Sequence, residues 1–122
     1  MSILAIFTAA VAFWGQGNLP TCGQPQLQVR QLGENAGMAY QRVCIAAIDE
    51  KYADLYNGVP NRYRCAIIFH EVGHLYGMQH SERGVMAETV TYIPPVCKRV
   101  VPLSRSEKLL NKIVAHTARE QK

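Results

Sequence analysis

The chain has 122 residues, of which 48% are hydrophobic and 18% charged, so its composition is typical of one globular domain over residues 1–122 and argues against disorder. Its longest apolar stretch, residues 3–14, is shorter than the roughly 20 residues of a membrane-spanning helix, so no membrane span is predicted. The net charge of +4 comes from scattered basic residues without interleaved aromatic ones, which argues against nucleic-acid binding.

The first fourteen residues allow two interpretations. Apolar residues at helical spacing from Ile3 to Trp14 predict a packed helix, which Gly15 and Gly17 would end. The same stretch has the apolar run and small residues of a signal peptide, but its start carries no Lys or Arg. We therefore favour the packed helix.

Three short strands are predicted next. Alternating residues predict a strand over 26–30, and after a turn at 33–37 two more strands follow at 38–41 and 43–48. Residues 49–61 are polar and contain turn-forming residues that break regular structure.

Two further helices complete the predicted α/β (α+β) fold. Residues 62–78 are apolar on nearly all faces, which places this helix in the middle of the domain. Ser104 to Glu107 fits a capping box, and the apolar stripe after it predicts a last helix. The order of elements indicates a compact domain with a small mixed sheet, which we expect to be a monomer.

The four cysteines, Cys22, Cys44, Cys65 and Cys97, lie too far apart for a zinc ribbon or finger. Their even number and wide spacing favour two disulfides and an oxidising, extracellular setting. Four buried free thiols are the alternative. Of the three connectivities, pairing 22 with 44 and 65 with 97 closes the shortest loops and is preferred.

The segment from His70 to His80 carries the chemistry. On a helix, His70 and His74 lie on one face and can bind the same metal ion. Gly77 can adopt the left-handed conformation that ends a helix, which would turn His80 back towards that ion. Three imidazoles that leave one position open are typical of a site with one catalytic Zn²⁺.

Glu71 follows the first histidine and can reach a zinc-bound water without binding the ion. It would take a proton as the water attacks a scissile carbonyl, and then pass this proton to the leaving amine. One alternative is a set of buried histidines without metal, which would be costly to desolvate. Another is a purely structural metal site, which leaves Glu71 unexplained.

Every fixed position of this segment matches the signature H-E-x-x-H-x-x-G-x-x-H, so the chain resembles the metzincin zinc endopeptidases. Met86 stands where the methionine turn of that family falls, and Ser81 directly after the third histidine is similar to the matrixin branch. Weaker matches around Trp14, Cys22 and Cys44 resemble small actinobacterial and phage matrixin-like proteins.

The resemblance implies a zincin-like fold and a peptide or protein substrate that lies extended along an edge strand at about residues 37–41. The pocket for the residue after the cut would be lined by the helix of His70 and His74 and by residues 91–95. Tyr92 would be its wall or a hydrogen-bond donor, and the alternative is an ordinary exposed or core tyrosine. Metzincin domains normally begin with a strand before the first helix, whereas this chain starts at that helix. Matrixins also carry structural zinc and calcium sites, which we do not expect here because only Asp49 and Asp54 could supply aspartates and no histidine precedes His70.

Two rival functions remain from the sequence. One is a zinc hydrolase that acts on cell-wall peptide links, and the other is a metal-containing binding module without turnover. Glu71 argues against the second, because a binding module has no use for a base at that place.

Overall fold

A computed structural model of the chain describes residues 2–53, 61–82, 84–87 and 97. The predicted last helix from Ser104 and the predicted pocket residues 91–95 lie outside the described residues. In chain order the elements are helix α1 (Ile3–Gly15), strands β1 (Gln26–Arg30), β2 (Gly37–Tyr40) and β3 (Ile45–Asp49), a short helix α2 (Glu50–Ala53) and helix α3 (Asn61–Leu75).

The N-terminal apolar stretch is a packed helix, as predicted. Ser2 caps α1, since its hydroxyl accepts a hydrogen bond from the Ala5 N–H at 3.1 Å. At the other end the left-handed C-cap residue is Gln16, with φ 48°, and Gly17 after it also has a positive φ, of 94°. Gly15 is needed for space instead, because a Cβ there would overlap the hydroxyl of Tyr76. The helix buries one face, formed by Ile6, Phe7 and Ala10.

The three strands form one mixed sheet in the order β1-β3-β2, which confirms the predicted small mixed sheet. β1 runs parallel to β3 with Gln26 opposite Ile45, and β2 runs antiparallel to β3 with Gly37 opposite Ile48. β3 is buried along its whole length, as expected for a central strand. β2 therefore lies at one edge of the sheet that the described residues form.

Several elements differ from the prediction. β2 spans Gly37–Tyr40 instead of residues 38–41, and α3 spans Asn61–Leu75 instead of residues 62–78, because the chain turns at Gly77. The third strand begins at Ile45 instead of residue 43, because residues 41–43 form a 3-10 turn and Cys44 is left-handed, with φ 58°. The polar stretch after the sheet contains the unpredicted helix α2. The Asp49 carboxylate starts this helix by accepting a hydrogen bond from the Lys51 N–H at 3.0 Å.

Helix α3 lies in the middle of the fold, with α1 packed against it on one side and strands β2 and β3 on the other. Every described side chain from Tyr63 to Leu75 is buried, which explains why the helix is apolar nearly all round. The buried polar side chains of its second half are His70, Glu71 and His74. Because helix α3 is fixed from both sides, these three residues stand on a rigid support.

Two disulfides link the chain, Cys22 to Cys44 and Cys65 to Cys97, which confirms the preferred pairing. All four cysteines are paired, so the interpretation as buried free thiols is wrong. Disulfides of this kind fit an oxidising compartment. Among the described residues, no helix is both long enough and apolar enough to cross a bilayer.

Candidate metal centre

Three imidazole rings converge beside the C-terminal end of α3. The Nε2 atom of His70 lies 3.1 Å from Nε2 of His74 and 3.2 Å from Nε2 of His80. Ligand nitrogens of all three residues lie within 4.8 Å of one another. His70 and His74 are buried, whereas His80 is exposed, so the group sits at the protein surface with one side towards solvent.

Backbone carbonyls fix the protonation of the two buried rings. Nδ1 of His70 lies 2.8 Å from the carbonyl oxygen of Val85, and Nδ1 of His74 lies 2.7 Å from that of Met78. A carbonyl oxygen can only accept a hydrogen bond, so each Nδ1 carries the proton and donates it. In the neutral rings the lone pairs therefore belong to the Nε2 atoms, which point at each other.

This arrangement fits a metal ion. Two lone pairs that face each other at 3.1 Å repel, unless a cation or an additional proton lies between them. Around a tetrahedral ion with metal–nitrogen bonds of about 2.0–2.1 Å, ligand nitrogens lie about 3.3 Å apart. Donation from the second ring nitrogen to a carbonyl is also the usual support of a metal-binding histidine. The donor set is thus suited to a divalent ion that prefers imidazole.

The chain turns sharply after α3 and brings His80 back to the two helical histidines. Gly77 is left-handed, with φ 85°, and its N–H donates to the His74 carbonyl at 3.0 Å. The Met78 N–H donates to the Gly73 carbonyl at 3.0 Å. These two bonds together form a Schellman motif, which closes the helix end and redirects the chain.

A second turn, at residues 84–87, lies beneath the histidines. Gly84 is left-handed, and its carbonyl accepts a hydrogen bond from the Ala87 N–H at 3.1 Å. Met86 is buried in this turn, and its sulfur packs so closely under α3 that a Cβ at Gly73 would overlap it. The same turn supplies the Val85 carbonyl that orients His70.

Glu71 is fully buried at the centre of the fold, 0% exposed, one residue after the first histidine of the group. Its side chain points towards the edge strand, where a Cβ built on Gly37 would lie 2.8 Å from its Oε2 atom. A carboxylate that is held away from bulk water and follows the first histidine directly in the chain is a candidate acid–base group. The residues that pack against the Glu71 side chain therefore determine where its carboxylate lies.

Some residues that support the site were not predicted from the sequence. The carbonyls of Val85 and Met78 carry no sequence signal, because every residue has a carbonyl. The Gln41 side chain donates from Nε2 to the His74 carbonyl at 2.7 Å and links the end of β2 to the end of α3. Of the residues predicted to surround the site, Tyr92 lies outside the described residues.

Two aromatic residues near the site join it to the rest of the fold, of which Trp14 was predicted to pack as part of the first helix. Trp14 is half-buried, and its Nε1–H donates to the Phe69 carbonyl at 2.8 Å, which joins α1 to α3. Tyr76 donates from its hydroxyl to the Asn18 carbonyl at 2.7 Å. Burial raises the pKa of the Tyr76 phenol, so it keeps the proton that this bond requires.

Comparisons of the chain with protein-family models, with curated proteins and with solved structures found no match in any of the three. The chemistry of the site is therefore argued from its own residues and geometry. The metzincin resemblance of residues 70–80 stays a prediction from the motif.

Proposed function

We propose that this chain is a zinc-dependent endopeptidase, in which three histidines hold the ion and Glu71 is the general base. The observation that carries the proposal is the convergence of the Nε2 atoms of His70, His74 and His80, on a helix that also carries the fully buried Glu71 directly after His70. Three protein ligands leave a tetrahedral ion one free position, which is typical of catalytic and not of structural zinc.

The choice of zinc follows from the ligands. Neutral imidazoles suit zinc, copper, iron and nickel, whereas calcium and magnesium prefer oxygen ligands. Among these, zinc has no redox chemistry and accepts a tetrahedral set of nitrogen ligands. A bound Zn²⁺ supplies Lewis acidity, which polarises a carbonyl and makes water more acidic.

The protein's own groups then perform the proton transfers. Glu71 accepts a proton from the water that attacks the scissile carbonyl, and delivers it to the nitrogen of the leaving amine. Its burial removes competing water, which strengthens its electrostatic interactions with groups close by. The carbonyls of Val85 and Met78 keep His70 and His74 in the tautomer that presents Nε2 as a ligand.

We place the substrate along β2, because an extended peptide binds by adding a strand to a sheet edge. β2 is antiparallel to β3 at one edge of the sheet and lies beside Glu71. Gly37 and Ala39 are buried, so this edge is not open to solvent along its whole length. Pairing would therefore begin at its more exposed residues.

The decisive experiment replaces Glu71 with glutamine, which keeps the size of the side chain and removes its basicity. Zinc-loaded, oxidised protein is incubated with an unstructured protein such as casein. We expect Glu71→Gln to lower kcat/KM by about 10²–10⁴-fold, the usual contribution of a general base. Zinc content, measured by atomic spectroscopy, should stay at one ion per chain.

Glu34→Gln is the matched control. Glu34 is an exposed glutamate far from Glu71 in the sequence, so this substitution should leave cleavage unchanged. Cleavage that is insensitive to both Glu71→Gln and a chelator would come from a contaminant and would contradict the proposal. If the protein binds zinc but cuts neither casein nor cross-linked cell-wall peptides, broad proteolysis is wrong, and a narrow substrate or a binding role without turnover is favoured instead.

A further inference from the structure

The residue opposite Glu71 in the fold is a glycine whose backbone does not require one. Gly37 lies within β2, paired with Ile48 of β3. Its φ is not among the positive values that favour glycine in the described residues. A glycine inside a strand weakens it and commonly marks a place where another group approaches closely. At Gly37 the group that approaches closely is the side chain of Glu71.

A side chain at position 37 would collide with two residues of α3. A Cβ built there would lie 2.8 Å from Cγ and Oε2 of Glu71, and 2.8 Å from Cγ2 of Ile67. Contacts under 3.0 Å are essentially not observed for real Cβ atoms, so one of the groups would have to move.

The strand and the isoleucine have little freedom to move. The backbone beside Gly37 is held by β3, since the Asp49 N–H donates to the Ala36 carbonyl at 2.9 Å. Ile67 is 1% exposed, and its branched Cβ restricts it to few rotamers in a helix. Glu71 has three side-chain torsions and is the group that can swing away.

We propose that Gly37 is a positioning residue for the general base: by lacking a side chain, it leaves the space in which β2 and α3 hold the Glu71 carboxylate. This inference rests on the proposed function for its catalytic consequence. The contact itself does not depend on turnover, and it can be tested without activity. The three atoms nearest to a Cβ built at Gly37 belong to Glu71 and Ile67, so its effect should be on the base and not on the metal.

The first test is Gly37→Ala in the zinc-loaded protein. We expect kcat to fall by about 100-fold, the loss typical of a displacement of about 1 Å in a catalytic group, with KM and zinc content unchanged. Gly15→Ala is the matched control, since it crowds the side chain of Tyr76 and not Glu71. Loss of zinc, or an equal loss of kcat in Gly15→Ala, would overturn the proposal.

The second test asks whether a shorter carboxylate relieves the crowding. Glu71→Asp withdraws the carboxylate oxygen from position 37 although its Cγ stays, so adding Gly37→Ala to Glu71→Asp should cost less in kcat than the same change in the wild-type chain. Equal fold-losses in both backgrounds would mean that the two positions act independently, and the proposal would be wrong.

The third test separates this inference from the proposed function. In metal-free protein, Gly37→Ala should lower the urea midpoint of unfolding more in the wild-type chain than in Glu71→Ala, where most of the crowding side chain is gone. This difference is expected even if the protein cleaves nothing. If cleavage is found but the two shifts are equal, the proposed function stands and the role of Gly37 is excluded.

Discussion

Gly77 shows how much a single residue contributes to the geometry of the site. Its left-handed backbone, with φ 85°, joins two helical histidines to a third that lies beyond the helix. No atom stands within 4 Å of a Cβ built at this position, so the requirement for glycine comes from the backbone and not from lack of space. Gly37 has the opposite requirement, since its space is occupied and its backbone is ordinary.

We therefore predict that Gly77→Ala lowers the free energy of unfolding by about 1–2 kcal/mol, the cost of a left-handed conformation for a residue with a Cβ. Gly77→Asn should cost less, because asparagine adopts this conformation more readily. Urea unfolding of the metal-free proteins measures both values. Equal costs for alanine and asparagine would mean that the left-handed turn is not what position 77 contributes.

For individual residues, the sequence indicates which side chains carry the chemistry. The spacing of His70, His74 and His80 follows from helix periodicity and one turn, so it can be interpreted without a structure. Glu71 could be assigned a role for the same reason, but its contact with Gly37 could not. That contact depends on how β2 is placed against α3, which no local pattern encodes.

Among the elements, α3 is the common support, and its neighbours hold it at several points. Gln41, just after β2, donates to the His74 carbonyl, and Trp14 of α1 donates to the Phe69 carbonyl. Both donors reach backbone atoms of the helix segment that carries the histidines. The edge strand and the first helix thus fix the position of the second half of α3.

Gln41→Ala should therefore lower the free energy of unfolding by about 1 kcal/mol, the usual net value of a hydrogen bond. It should also weaken zinc binding, because the end of α3 then holds His74 less firmly. The exposed Gln24→Ala is the control for a loss of glutamine that makes no such bond. Chemical unfolding and competition with a zinc chelator measure the two effects, and identical results for both variants would contradict this role.

The helices and strands themselves were largely predictable, and the exceptions have physical causes. Periodicity predicted both ends of β1 correctly and located α1 and α3, although α3 ends at Leu75 and not at residue 78. The start of β3 was missed because the apolar pattern continues through Val43 and Cys44, whereas the disulfide-bonded Cys44 is left-handed. The short helix α2 was missed because it has too few residues for a periodic pattern.

For the whole molecule, stability should depend on the metal. A ligand that binds only the folded state stabilises it by about 4 kcal/mol when its free concentration is 1,000 times its Kd. We predict that zinc raises the melting temperature of the wild-type protein, and that His80→Ala removes most of this rise. Because His80 is exposed, this variant should fold normally without metal.

His116, the one remaining histidine of the chain, provides the control for that experiment. His116→Ala should keep the full rise in melting temperature at the same free zinc concentration. A zinc-dependent rise that survives in His80→Ala but disappears in His116→Ala would place the ion elsewhere, and the three-histidine centre would be wrong.

The disulfides contribute in a different way, because they restrict the unfolded chain. They close loops with sequence separations of 22 and 32 residues. In the chain-entropy model, loops of this length are worth about 3–4 kcal/mol each. For a domain whose described sheet has only three strands, that is a considerable share of the total stability.

The second disulfide has one more consequence. Cys65 precedes His70 and Cys97 follows Met86, so the bond makes a covalent ring that contains all three histidines and Glu71. If the proposed endopeptidase activity is correct, molecules of this protein can cleave one another in solution. A single break between residues 65 and 97 leaves both ends of that ring attached to each other through sulfur. The two pieces of the site would then separate only if the Cys65–Cys97 disulfide were also reduced. An oxidising environment would therefore protect the site from self-cleavage.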